Sequence, residues 1–279
     1  MCNIKGSFNG SDIMKTYVGK ENIPQYFNEL FAIHEGLDWE DNLERLVEAS
    51  SAIKPKSQKF IPTCIQKENI FSSIQRAIDF VSSDNFAVLS SDLNNRCNKC
   101  ADAIMVASQI ENVNLRGRII EVLVTADDII TERLKKLLNN EIQYLPELTT
   151  RDDLGDYKRI FNNGNTYTDI KTKIIYLDSA PKAYNVDKFL QKMADGDSVF
   201  LFFIIGIGKD GIFNTSLCSV YHSELIDASV VQHHWAGRST RGVVQFAGKT
   251  LNNILNNRKF INQIDQQKAQ NYLENLLDI

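Results

Sequence analysis

The chain has 279 residues, a formal net charge of −4 and 43% hydrophobic residues, which is ordinary for a globular protein. No signal-peptide pattern occurs in residues 1–30, and the longest apolar run, Val199 to Ile207, is about half the roughly 20 residues that a membrane-spanning helix needs. These features exclude an integral membrane protein, and we expect a soluble, cytoplasmic one. The five cysteines are an odd, scattered set and are predicted to be reduced thiols.

The acidic net charge predicts no general attraction to nucleic acid, so a nucleic-acid partner would need a local basic surface and metal ions. No phosphate-binding loop or dinucleotide fingerprint is present, and we expect no nucleotide cofactor. The glycine-rich segment 205–211 reads as a hairpin turn. The Cys97 and Cys100 pair lacks the second pair of ligands that a zinc module requires.

The first 140 residues have the spacing of amphipathic helices, as in segments 22–36, 39–53 and 69–83. A longer segment, 101–140, is predicted to contain one core-packing helix in its second half. Its apolar stripe consists of Ile119, Ile120, Leu123, Val124, Ile129, Ile130, Leu134 and Leu137. We therefore predict a helical N-terminal region, residues 1–112, for dimerisation or for clasping DNA.

From about residue 142 the pattern changes to turn signals followed by β-branched and aromatic runs. Strands are predicted at 157–162, 166–177, 198–207 and 212–221. A helix is predicted within 183–196, and the tail from 250 to 279 is predicted to be helical again. The order strand, strand, helix, strand indicates an α/β (α+β) fold with a mixed central sheet flanked by helices, in a domain that spans residues 113–279.

Asp169 and Lys171 lie two residues apart in the second predicted strand, so their side chains project from the same face. One interpretation is an exposed ion pair on the wet side of a sheet. The other is part of a catalytic centre. Asp156 begins the preceding strand, and the turn at 162–164 folds the two strands into a hairpin that can bring Asp156 near Asp169 and Lys171.

Two carboxylates and one amine at a single point suit phosphodiester hydrolysis. Asp156, Asp169 and the main-chain carbonyl of Ile170 are the predicted ligands of a Mg²⁺ ion, which prefers hard oxygen ligands and keeps several waters. Lys171 is the predicted group that orients or deprotonates the attacking water. Without a cation, two neighbouring carboxylates destabilise each other, so metal binding should stabilise the protein.

These residues resemble a known motif. Gly155 and Asp156, twelve intervening residues, and then Asp169, Ile170 and Lys171 are similar to the PD-(D/E)XK motif of type II restriction endonucleases, with glycine where the family often has proline. The segment that follows Lys171 resembles the blunt-cutting EcoRV and HincII group. The resemblance covers roughly residues 115–210.

The resemblance implies a restriction-endonuclease-like fold and a homodimer that cuts double-stranded DNA in a restriction-modification system. It assigns metal binding to Asp156 and Asp169 and water positioning to Lys171, although the neighbouring Asp152 and Asp153 are alternatives for the first carboxylate. Family members often carry a glutamate on a helix before the motif strand, and Glu121 matches that place. The alternative for Glu121 is a solvated helix charge.

The segment 229–251 concentrates side chains that read base edges or bind phosphates. The DNA contacts predicted there are His234, Arg238, Ser239, Arg241 and Gln245. The alternative is a loop with solvated arginines. Lys182 and Asn185 are also predicted to contact DNA, because they lie in the region that approaches DNA in the similar enzymes. The alternative is that this region is only a turn that leads into a helix.

Two rival functions remain open from the sequence. One is a repair or structure-specific nuclease of the same fold, and the other is a non-catalytic helical interaction protein. Cleavage of plasmid DNA into discrete fragments separates the restriction enzyme from both rivals.

Overall fold

A computed structural model describes residues 59–141, 154–162, 164–177, 181–209, 213–232, 241–256 and 263–279, and these belong to one compact unit. The predictions for the first 58 residues lie outside the described ranges. Among the helices that are described, none is long and apolar enough to cross a membrane.

The first described part of the chain is helical, as predicted. Its helices are α1 (Cys64–Val81), α2 (Asp84–Lys99), α3 (Ala101–Ser108), α4 (Val113–Thr125) and α5 (Asp128–Leu138). Helix α1 begins with a capping box in which the Thr63 hydroxyl accepts from the Gln66 main chain and the Gln66 side chain accepts from the main chain of Thr63.

The prediction of one uninterrupted helix through the second half of 101–140 is wrong, because two polar caps divide the segment. The Asn112 side chain accepts from the Leu115 N–H at 2.9 Å and starts α4. The Asp127 carboxylate accepts from the N–H groups of Ile129 and Ile130 and starts α5. Most of the predicted stripe is buried, but Ile129 is 69% exposed because it lies in the first turn after the cap.

The remaining elements are seven strands and four helices of the described residues. In chain order they are β1 (Tyr157–Phe161), β2 (Gly164–Ile174), β3 (Lys182–Asn185), α6 (Val186–Ala194), β4 (Ser198–Ile207), β5 (Phe213–Ser219), α7 (Ser223–Asp227), β6 (Ser229–Gln232), β7 (Val243–Phe246), α8 (Gly248–Asn256) and α9 (Gln266–Asp278). Four of these strands and helix α6 follow the predicted order.

The main sheet has the strand order β1-β2-β4-β5. β1 pairs antiparallel with β2, β2 pairs parallel with β4, and β4 pairs antiparallel with β5, so the predicted mixed sheet is confirmed. A parallel pair needs a crossover, and α6 lies in the connection between β2 and β4. β4 is buried at every residue, as expected for a central strand that is covered on both faces.

A second sheet, with the order β3-β7-β6, was not predicted. Each of its three strands has only four residues, too few for a reliable alternating pattern. The segment at Lys182 and Asn185 was predicted as a loop or a turn. It forms β3 because it pairs with β7, which lies about 60 residues further along the chain.

The hairpin between β1 and β2 has the predicted position and depends on a glycine. Gly164 has a φ of +134°, and a Cβ atom there would lie 2.6 Å from the Asp197 carbonyl oxygen. The register pairs Phe161 with Gly164 and Tyr157 with Thr168. Asp156, one residue before β1, is therefore opposite Asp169.

The core is continuous through the described residues and includes residues from both predicted domains. Ile70, Leu93 and Ile104 from α1 to α3 belong to the same buried cluster as Phe203 of β4. The boundary at residues 112 and 113 stays a prediction.

Near α6, aromatic rings pack closely, and the ring centroids of Tyr184 and Phe189 are 4.7 Å apart.

A buried ion pair joins three distant parts of the chain. Arg241, which is 2% exposed, forms an ion pair through Nη1 with Asp187 of α6, and its main-chain N–H donates to Asp187 Oδ2 at 3.0 Å. The guanidinium also donates to the Phe60 carbonyl at 2.7 Å, and the Phe60 N–H donates to Asp187 Oδ1 at 3.1 Å. Removing one partner leaves a buried charge without compensation.

Asp187→Ala is therefore expected to lower the free energy of unfolding by about 3–5 kcal/mol, as measured by urea denaturation. The control is Asp227→Ala, which removes the 2.7 Å ion pair of Asp227 with Lys268. Because both of those side chains are about half exposed, the control should leave the denaturation midpoint unchanged. Equal effects of the two substitutions would contradict this role for Asp187.

Candidate functional site

The candidate site lies on β2, between β1 and β4 in the main sheet. Asp169 is only 5% exposed, so the interpretation of an ion pair on the wet side of a sheet is wrong for this residue. Lys171 Nζ lies 2.8 Å from Asp169 Oδ2, and 13% of the Lys171 side chain is exposed. The pair is thus formed in a largely desolvated place, where electrostatic interactions are stronger than at a surface.

Asp156 is held against this pair by main-chain hydrogen bonds. Its N–H donates to the Thr168 carbonyl at 2.8 Å, and its Oδ2 accepts from the Ile170 N–H at 2.8 Å. The Asp156 side chain also forms a hydrogen bond with the Asp169 side chain. Asp156, Asp169 and Lys171 therefore meet at one point, as the hairpin was predicted to arrange.

The residue before Asp156 explains the departure from the motif. Gly155 has a φ of +81°, and a Cβ atom there would lie 3.1 Å from the Thr168 carbonyl oxygen. Proline is fixed near a φ of about −65° and cannot adopt this conformation. Glycine is therefore required by the way in which this chain enters β1.

The electrostatics of the site are dominated by burial. Burial raises the pKa of Asp169 well above its ordinary value of 3.8. The Lys171 ammonium lowers this pKa, whereas the charge and the hydrogen bond of Asp156 raise it further. When both carboxyl groups are ionised, the single ammonium leaves one negative charge uncompensated, and a cation at this position would favour the ionised form of Asp169.

The donor set fits Mg²⁺. In the described part of the chain, no group of three or more His, Cys, Asp or Glu side chains is arranged to hold a metal. The available donors are the Asp156 and Asp169 carboxylates, with the Ile170 carbonyl as a predicted third. Mg²⁺ commonly uses one or two carboxylates together with waters and substrate phosphates. Asp156 is only half-buried and so leaves a route from solvent.

Glu121 lies on α4, and this helix contacts β2. The carboxylate forms an ion pair with Arg118 of the same helix and is 3% exposed. The interpretation of Glu121 as a solvated helix charge is therefore wrong. The charges that shift the pKa of Asp169 come from Lys171 and Asp156, and a supporting role for Glu121 stays a prediction.

Three predicted DNA contacts lie on neighbouring strands of the second sheet. Lys182 of β3 is paired with Gln245 of β7, and Lys182 is exposed. Asn185 ends β3, and its side chain accepts from the Lys188 N–H at 2.9 Å as the N-cap of α6. The structure thus brings these three residues to one sheet, while their contact with DNA stays a prediction.

Arg241 was predicted to contact DNA, and its position does not suit that role. Its guanidinium is buried against Asp187 and the Phe60 carbonyl, so reaching a base would require breaking that ion pair. His234, Arg238 and Ser239 lie outside the described residues. The same is true of Asp152 and Asp153, the alternatives for the first carboxylate.

Cys97 and Cys100 are residues of the hydrophobic core. Both are buried, and Cys100 Sγ donates to the Leu123 carbonyl at 3.3 Å. Burial raises the pKa of Cys97 to about 12, so this thiol stays protonated at neutral pH.

Two lysines beside the site were not singled out by the sequence. Lys158 follows Asp156 by two residues, just as Lys171 follows Asp169. In a strand this spacing places both side chains on one face of the sheet, and it was the signal in the sequence for Lys158. Lys192 comes from α6, and no spacing rule relates a helix residue to a strand residue. Both ammonium groups lie near the Tyr167 ring.

No protein-family model matches the chain, and no curated protein sequence matches it. The fold and the site define a mixed α/β protein with a four-stranded mixed sheet. On β2, the buried Asp169 contacts both Asp156 and Lys171.

Asp156→Asn is expected to increase the free energy of unfolding of the metal-free protein at pH 7. At pH values above 3.8, the ordinary pKa, a raised pKa of Asp169 in the folded state costs stability. Removing the Asp156 charge removes one cause of that rise, and an asparagine oxygen can still accept from the Ile170 N–H.

Urea denaturation in the presence of EDTA measures the effect. The control is Asp79→Asn, because Asp79 is a surface residue that accepts one hydrogen bond, from Gln75 at 2.8 Å. A destabilised Asp156→Asn variant would contradict the like-charge interpretation.

Proposed function

We propose that this chain is a Mg²⁺-dependent endodeoxyribonuclease of the type II restriction kind, which hydrolyses phosphodiester bonds of double-stranded DNA. One observation carries the proposal: Asp169 contacts both Asp156 and Lys171 in a largely buried position. Such a cluster is costly for stability alone, because burial raises the pKa of Asp169 and a second carboxylate raises it further. Clusters of this kind are typical of functional sites.

The resemblance to the PD-(D/E)XK motif supports the same proposal. The two acidic positions and the lysine of the motif are residues that touch one another here, although a glycine precedes Asp156. The order of an antiparallel hairpin, a helix and a parallel strand also fits the restriction-endonuclease-like fold that we propose.

In the proposed reaction, Asp156, Asp169 and the Ile170 carbonyl hold Mg²⁺. When bound, this ion would neutralise the negative charge that develops on the phosphate oxygens. The Lys171 ammonium is kept in place by its 2.8 Å contact with Asp169 and holds the attacking water or the phosphate by a hydrogen bond. The Ile170 N–H fixes the Asp156 carboxylate and so orients the first metal ligand.

The proposed partner is double-stranded DNA, bound by a homodimer so that two identical sites cut both strands of a two-fold symmetric sequence. Lys182, Asn185 and Gln245 are the proposed DNA contacts on the second sheet. His234, Arg238 and Ser239 belong to the same proposal from the sequence. Arg241 is omitted because its charge is paired with Asp187.

Asp169→Asn and Lys171→Met are each expected to slow the cleavage of supercoiled plasmid DNA in Mg²⁺ by about 10²–10⁴-fold, because each removes a group that acts on the reacting atoms. The control is Lys135→Met. Lys135 forms an ion pair of the same length, 2.8 Å, with Glu132 on the surface of α5. This control should cleave at the wild-type rate.

The products decide between the functions. Discrete fragments from the wild-type protein support a restriction enzyme, whereas cleavage of branched DNA alone would point to a repair nuclease. A wild-type protein that leaves plasmid, linear and branched DNA intact in Mg²⁺ would overturn the nuclease proposal.

Mg²⁺ at 100 times its dissociation constant is expected to stabilise the wild-type protein by about 2.7 kcal/mol. The shift should be absent in Asp169→Asn and retained in Asp79→Asn. Thermal unfolding with increasing Mg²⁺ concentration measures it. Equal shifts in all three proteins would show that the ion binds elsewhere.

A further inference from the structure

The Tyr167 ring lies close to two lysine side chains that come from different elements. Lys158 Nζ of β1 is 5.2 Å from the ring centroid, and Lys192 Nζ of α6 is 4.8 Å from it. Tyr167 itself is only 3% exposed. The strand and the helix thus bring two positive charges to one position beside β2.

This position is adjacent to the candidate catalytic site. Tyr167 precedes Asp169 by two residues on β2, so the two side chains share a face and are separated by about 7 Å along the strand. Lys158 is the direct strand partner of Tyr167 and lies two residues beyond Asp156. The two ammonium groups therefore flank the site on the same side of the sheet as Asp156 and Asp169.

Two like charges near one ring repel each other, and an anion near both of them lowers this repulsion. The aromatic face attracts each ammonium group only modestly where the group is open to solvent. Lys192 Nζ also lies 3.5 Å from Asp195 Oδ2, but the Asp195 side chain is 54% exposed, so this pair is weak. Lys158 is exposed and accessible to a ligand.

We propose that Lys158 and Lys192 bind a second phosphodiester group of the DNA strand whose scissile phosphate lies at Asp169 and Lys171. This inference rests on the proposed nuclease function. Tyr167 and Asp169 are about 7 Å apart along the strand, which is comparable to the spacing of phosphates one or two nucleotides apart, since successive phosphates of one strand rise about 3.4 Å along the axis. A lysine ammonium binds phosphate as a point charge and does not read sequence.

The two lysines are therefore positioning residues that hold the strand in register with the catalytic cluster. They are not expected to take part in bond cleavage or in the choice of sequence. A purely structural role is the competing explanation, in which the aliphatic stems only cover the Tyr167 ring. The two roles differ in their effect on the salt dependence of DNA binding.

The test uses the double variant Lys158→Gln, Lys192→Gln. Binding to a plasmid-derived linear duplex is measured over a series of salt concentrations in the Asp169→Asn background, in which cleavage is expected to be slow. The slope of the logarithm of the binding constant against the logarithm of salt concentration should fall by about 1, as expected for one lost phosphate contact. In the active background, KM for plasmid DNA should increase about tenfold, since phosphate contacts contribute to affinity rather than to chemistry, with kcat within twofold.

The matched control is Lys209→Gln, because Lys209 Nζ lies 5.0 Å from the ring centroid of Tyr176, which is 48% exposed. The salt slope of this variant should equal that of the parent protein. An equal loss of slope in the control would overturn the assignment to Lys158 and Lys192.

An unchanged slope and KM in the double variant, with or without a lower melting temperature, would likewise overturn the inference and leave the nuclease proposal intact. If the wild-type protein cuts no DNA in Mg²⁺, the proposed function fails, while the slope still decides whether the two lysines bind phosphate.

Discussion

The candidate site depends on the burial of one carboxylate beside another. Asp169 is nearly excluded from water and touches Asp156, with Lys171 as its cationic neighbour. This contact is possible only in one register of the β1 and β2 hairpin, because a slip of one residue would send Asp169 to the opposite face of the sheet. The register in turn depends on Gly164, where a larger residue would collide with the Asp197 carbonyl.

The rest of the sheet keeps this polar cluster rigid. β4 is entirely buried and pairs with β2 from Asn165 to Ile174, so main-chain hydrogen bonds hold the strand that carries Asp169 and Lys171. On the other side, Asp156 is fixed by its N–H, which donates to the Thr168 carbonyl, and by its carboxylate, which accepts from the Ile170 N–H. Apolar packing on β4 thus supplies the stability that the paired carboxylates reduce.

The main sheet and the convergence of Asp156 with Asp169 could be predicted because they follow from local signals. Runs of β-branched and aromatic residues marked the strands, and an Asn-Gly turn marked the hairpin. The burial of Asp169 could not be predicted, because it depends on elements that are packed over the sheet. The buried state of Arg241 was equally hidden, since its partner Asp187 is 54 residues away in the sequence. Four-residue strands such as β3 and β7 are too short to carry a period.

The buried contact between Arg241 and Asp187 connects the small sheet with α6. Arg241, which precedes β7, is hydrogen-bonded to Asp187 of α6. Asn185, which ends β3, is the N-cap of the same helix. The small sheet is therefore joined to α6 at two points, and Lys192 of the same helix lies over the Tyr167 ring. One helix thus connects the strands that carry Lys182 and Gln245 with the lysine that lies over the Tyr167 ring.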